Sequence, residues 1–101
     1  ANAALFCERG AANLGAGKIE DALADAKTAV KLDARLGIAY AAQAAALSAA
    51  SLHAEAVKVC RAGLLEDAEC DALRTQIVAS ERAIADDRAR YEKMWGDERK
   101  V

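Results

Sequence analysis

At 101 residues and a net charge of −2, the chain has room for one small domain, and a core of that size leaves little stability in reserve. Acidic and basic residues are interspersed, so no basic stripe faces a phosphate backbone and nucleic acid is not an expected partner. No uncharged apolar run approaches the roughly 18 residues of a membrane span, the Ala-rich stretch 38–52 being too short and too weakly hydrophobic.

The apolar fraction of 54% overstates the core, because more than a quarter of the chain is Ala, which favours helix but buries little area per residue. With no Pro, one β-branched pair at Ile77-Val78 and no strict alternation, the fold class reads as all-α. Asn2 is a natural N-cap for a first helix over 3–16, with Leu5, Phe6, Ala12 and Leu14 as its apolar contacts. Gly15-Ala-Gly17 breaks it. The second helix, 19–33, sets Ile19, Leu23, Ala26 and Val30 on one face and carries acid in its first turn and base in its last. After a turn at Ala34-Arg35, a third helix over 36–50 holds Tyr40, Leu47 and little else of bulk, so neighbouring backbones can approach closely. Ser51 is the expected N-cap of a fourth helix, 52–65. Gly63 inside it costs on the order of 1 kcal/mol against Ala unless another helix crosses there. A turn at 66–69 leads into one long helix from about 70 to 96.

Sliding the sequence along itself aligns Glu55-Ala56-Val57 with Asp21-Ala22-Leu23, an offset of 56 − 22 = 34, and places Leu64 the same distance after Val30. That period points to a helical solenoid. The repeated positions resemble the tetratricopeptide repeat, a two-helix unit: Phe6 and Tyr40 take its aromatic position, Gly10 and Ala44 its Gly, Ala22 and Ala56 its small crossing residue, Ala29 and Gly63 its later small residue. The sequence departs from the pattern at Arg9 and Gln43 (usually Leu), Asn13 and Leu47 (aromatic), Ala26 and Cys60 (Phe), and Ala34 and Ala68 (Pro). The resemblance implies an α-solenoid of two repeats, 3–35 and 37–68, followed by 69–101 as a long capping or projecting helix with a frayed end.

Within that family the chain is similar to co-chaperone modules, through Phe6-Cys-Glu-Arg-Gly-Ala-Ala12 and Ala39-Tyr-Ala-Ala-Gln-Ala-Ala-Ala-Leu47. Such modules hold a C-terminal Glu-Glu-Val-Asp tail of cytosolic chaperones in a carboxylate clamp of Lys, Asn and Arg. Here Glu8 stands for the clamp Asn, Ile38 for its Lys and Ala42 for its Arg, so binding of the acidic tail is not expected. The resemblance implies instead a non-catalytic protein-interaction module, the segment of a larger co-chaperone-like or scaffold protein. Its groove, lined by Ala4, Cys7, Glu8, Ala11, Ile38, Ala41, Ala42 and Ala45, would take a protein or peptide ligand by apolar contact. Two other readings stand beside it: an oligomerising or spacer element built on the long helix, and a regulatory segment tethered to an enzyme such as a protein phosphatase.

No catalytic set, cofactor or metal site is expected. Cys7, Cys60 and Cys70 are odd in number and irregularly spaced, His53 adds no standard ligand spacing, and the thiols read as small buried hydrophobes of a reducing, cytoplasmic compartment. Gly15-Ala-Gly17-Lys18 is too short for a phosphate loop and lacks a preceding strand. Charge runs such as Asp86-Asp87 with Arg88 and Arg90 read as solvated helix faces. No signal peptide is expected, and a first residue of Ala suggests a segment of a longer protein. In the last helix Leu73, Ile77, Ile84, Tyr91 and Trp95 form a roughly heptad stripe, interrupted by Ser80 and Arg88. Beyond Ser80 the helix is expected to outrun the repeats and to offer Ile84, Tyr91 and Trp95 to a second chain or a following domain.

Overall fold

A computed structural model of the chain describes residues 2–99, with side chains from Asn2 to Trp95. Among the described residues there are five helices and no strand: α1 (Ala3–Gly15), α2 (Ile19–Leu32), α3 (Gly37–Ala49), α4 (His53–Glu66) and α5 (Asp71–Arg99). The expected fraying at the end of 69–101 falls outside the described residues.

Successive helices run antiparallel. Gly10 of α1 lies against Ala22 and Asp25 of α2, and Gly63 of α4 lies between Tyr40 of α3 and Leu73 of α5. The odd-numbered helices lie side by side: α1 touches α3 and α3 touches α5. The α3–α5 pair is parallel, since Gly37 meets Cys70 near one end and Ser48 meets Ser80 near the other. Two apolar clusters form between these layers. Ala3, Cys7, Ala29 and Ala39 make the first, with Phe6, Val30 and Leu36 at its edge. Ala44, Leu47, Ala56, Cys60 and Leu73 make the second. Ala22 is 2% exposed and Ala56 fully buried, and side chains this small let the helix axes close up.

The turns repeat the sequence period in their hydrogen bonds. After α1, Lys18 N–H donates to Asn13 O and Gly17 N–H to Leu14 O; after α3, Leu52 N–H donates to Leu47 O and Ser51 N–H to Ser48 O. This is the Schellman closure, which needs a left-handed residue at its hinge. Gly17 (φ 81°) and Ser51 (φ 66°) occupy that hinge. The other two turns also match: Asp33 N–H donates to Ala29 O and Asp67 N–H to Gly63 O.

Asn2 caps α1 as expected, its side-chain oxygen accepting from Ala4 N–H at 2.9 Å. Ser51 does not cap α4. Leu52 stands at the N-cap, and Ser51 is held in the left-handed region as the C-terminal closure of α3. Replacing Ser51 with Gly removes roughly 1 to 2 kcal/mol of left-handed strain and returns about 0.4 to 1 kcal/mol of unfolded-state entropy. Urea denaturation is therefore expected to show Ser51→Gly more stable than the parent, and Gly17→Ser less stable.

Ser80 also departs from expectation. It does not end the packed part of α5: it is fully buried, and Ala83 and Ile84 after it are half-buried, so the body of the fold reaches Ile84. From Ala85 to Trp95 every residue is exposed.

Candidate partner-binding surface

The residues expected to line a groove fall on α1 and α3, side by side. Ala4, Glu8 and Ala11 are exposed, Ile38 is 44% exposed, and Ala41, Ala42 and Ala45 are half-buried. Cys7 is buried in the first cluster and offers little surface. The positions 34 residues after those of α3 are Ala72, Thr75, Gln76 and Ala79, all exposed or half-buried on the first half of α5. Since α5 lies parallel to α3, these residues form a third wall, which sequence reasoning had assigned to a cap. The face is a shallow alanine floor with one bulky group, Ile38, and one charge, Glu8. Open depressions lie elsewhere: one of about 550 Å³ takes in Ala4 together with Asn2, Leu32, Asp33 and Leu36, and another of about 390 Å³ lies among Lys27 of α2, Gln43 of α3, and Glu55 and Lys58 of α4.

Two polar constellations that the sequence reading passed over hold this floor in place. Asp25 is 4% exposed in α2; Arg9 reaches its Oδ1 through Nε at 3.1 Å and Nη2 at 2.6 Å, and Asn13 Nδ2 donates to Oδ2 at 2.8 Å. The Arg9 guanidinium also lies 5.0 Å from the Phe6 ring centre. Arg9 and Asn13, one turn apart on α1, are both answered by this one acid. Their pairing on one face of α1 was the signal that an acid lay opposite.

The second constellation joins the α3–α4 turn to α5. Ser48 Oγ is 2.7 Å from His53 Nδ1 and 3.1 Å from Ser80 Oγ, and Gln76 Nε2 donates to Ser80 Oγ at 3.1 Å. A serine beside a histidine has the outline of a nucleophile and its base, but this hydroxyl is engaged with a fully buried partner, and the network fastens a turn. Among the described residues no buried side-chain polar atom lacks a partner.

The hydrogen bond from Arg9 holds the Asp25 carboxyl below its ordinary value, outweighing the opposing effect of burial. The stabilisation is present above the unfolded carboxyl value of about 4 and is lost as pH falls through the depressed folded value. Asp25→Asn is therefore expected to be less stable than the parent at neutral pH and to lose less stability on acidification, read as urea midpoints at a series of pH values. Equal slopes for the two proteins would contradict the ion pair.

The three cysteines are unpaired, Cys7 and Cys60 buried and Cys70 half-buried. Burial first and the neighbouring Cys70 second push the Cys60 thiol up to about 11, and burial with Glu8 raises Cys7, so both are poor nucleophiles near neutrality. No group of three or more candidate metal ligands occurs among the described residues, and no described helix is long and apolar enough to cross a membrane.

The distal aromatics are where exposure was expected: Tyr91 is 57% and Trp95 40% exposed, their ring centres 6.0 Å apart. Ile84 belongs with the body and not with them.

No protein-family model matches the chain, and no curated protein matches it.

Proposed function

We propose that this chain is a tetratricopeptide-type interaction module, an α-solenoid segment of a larger co-chaperone-like or scaffold protein, that takes an amphipathic peptide or helix on the alanine face of α1, α3 and the first half of α5. The observation that carries the reading is the recurrence of the same backbone hydrogen bonds one sequence period apart, at Lys18 and Leu52 and again at Asp33 and Asp67. A floor of small side chains leaves room for bulky apolar groups supplied by the ligand, the arrangement used when a helix lies in a groove. Glu8 and the lack of a cation among the groove positions disfavour an acidic ligand.

The test begins with peptides selected from a random library on the 101-residue protein. Ile38→Glu and Ala45→Arg are each expected to weaken the selected peptides by at least about tenfold, the effect of burying an unpaired charge at an interface. Leu65→Glu, on a residue 87% exposed on α4, is expected to leave binding unchanged. Binding that ignores both groove variants but is lost with Trp95→Ala would move the function to the distal helix. That second reading rests on the exposure of Tyr91, Met94 and Trp95, which fits an oligomerising or spacer element.

A further inference from the structure

The same repeat position in three helices has two different fates. Ala39 of α3 is fully buried against Ala3, Cys7 and Ala29 of the preceding helical pair. Leu73 of α5, the matching position one repeat later, is fully buried against Ala44, Leu47, Ala56 and Cys60 of the pair before it. Leu5, the matching position one repeat before Ala39, is 60% exposed. Two turns further along each helix, Ala46 and Ser80 are fully buried while Ala12 is exposed. Beside Leu5 an open depression of about 310 Å³ is lined by Asn2, Leu5, Phe6 and Arg9.

The opposite end of the stack is finished differently. The residues of α3 that face α4 include Tyr40, Ala44 and Leu47; their counterparts on α5 are Arg74, Val78 and Glu81, all exposed. Two of those three are charged, the polar finish of a terminal helix. On α1 the side chains at the matching positions are Leu5 and Ala12; of the two charged residues within one turn of both, Arg9 is turned onto Asp25 and Glu8 is exposed at the edge shared with the alanine face.

We propose that the outer face of α1 is a stacking interface for one further antiparallel helical pair of the same build, lying N-terminal to α1, whose second helix covers Leu5 as α2 covers Ala39. The proposal rests on the repeat reading above but not on the ligand groove. In both internal cases the covering pair comes immediately before the covered helix and is joined to it by a short turn, so the occupant is placed by continuity with interfaces already present in the fold.

The experiment duplicates residues 3–36 directly ahead of Ala3, which keeps the repeat register and sets a copy of α2 where the proposal requires one. Leu5→Cys, in the original α1 only, reports on the face; Ala24→Cys, exposed on α2, is the control, and labelling is followed cysteine by cysteine from peptide masses. In the unextended chain both engineered thiols are expected to react quickly. In the extended chain the residue-5 thiol is expected to slow by at least about tenfold while residue 24 does not change, as protection by a folded neighbour requires. Helical signal is expected to rise with a single unfolding transition. Unchanged labelling at residue 5, or an added pair that melts separately, would overturn the interface. So would concentration-dependent protection of residue 5 in the unextended chain together with a dimeric mass by light scattering, which would make a second copy the occupant. Loss of the groove reading, through Ile38 and Ala45, would leave these labelling results untouched.

Discussion

Gly63→Ala is expected to destabilise the chain by about 1 to 2 kcal/mol, because overpacking at the upper end of its usual range of about 1 to 3 kcal/mol outweighs the roughly 1 kcal/mol that Ala gains over Gly inside a helix. A Cβ at Gly63 falls 2.7 Å from Tyr40 Cβ and 2.9 Å from both Tyr40 Cγ and Leu73 Cδ1. The Tyr40 atoms cannot swing aside, because they lie next to the α3 backbone and the ring is tied at its far end, where the hydroxyl donates to Ala34 O at 2.8 Å. Relief requires α3 and α4 to move apart, which loosens the cluster around Ala56 and Cys60. Gly15→Ala is the matched control: a Cβ there meets nothing within 4 Å, so propensity alone acts and stability is expected to hold or rise. Urea midpoints read both. A Gly63→Ala protein as stable as the parent would mean that the crossing is wider than its geometry states.

That crossing shows what kind of information the sequence carries. Gly63 could be read as a tight approach because a glycine in a helix interior is unfavourable without a neighbour to require it. Which side chains meet it, Tyr40 and Leu73, came only from the structure. The five helices were legible for the same reason: the Ala-rich segments have no competing local preference, and Gly15-Ala-Gly17 and Ala34-Arg35 interrupt the apolar periodicity. Ser51 was misread because serine is a good helix cap and a poor left-handed residue. Only the alignment of Ser51 with Gly17 marks it as a hinge, and that is a tertiary constraint overriding a local one. Ser80 was misread as a break in an apolar stripe because its burial is made tolerable by Ser48, far off in the sequence and beyond the reach of any local pattern. Of the candidate surface, the α1 and α3 residues follow from the register, and the α5 wall was missed by treating its helix as a cap alone.

Titration of a Glu-Glu-Val-Asp peptide into the protein is expected to show no saturable binding, and the triple change Glu8→Asn, Ile38→Lys, Ala42→Arg is expected to create it. The positions suit the graft. Glu8 and Ile38 are exposed and Ala42 is half-buried, so Lys and Arg introduced there can carry their charged ends to solvent while their stems cover the alanine floor. Two charge-assisted bonds at about 1.5 to 3 kcal/mol each amount to roughly 3 to 6 kcal/mol of gross interaction, a factor of about 10² to 10⁴ in affinity before ordering costs. Removing Glu8 also takes away a repulsion with the peptide carboxylates. The change moves the net charge from −2 to −2 + 3 = +1, so non-specific attraction to an acidic peptide has to be separated from a built clamp. A second triple, Ala62→Arg, Leu65→Lys, Glu66→Asn, makes the same charge change on three exposed residues of α4. If the clamp register is right, only the first triple binds, and it prefers the peptide with a free terminal carboxylate to a scrambled sequence of equal charge. Equal gains for both triples would reduce the effect to net charge, and saturable low-micromolar binding by the parent would overturn the assignment of Glu8, Ile38 and Ala42 to the clamp positions.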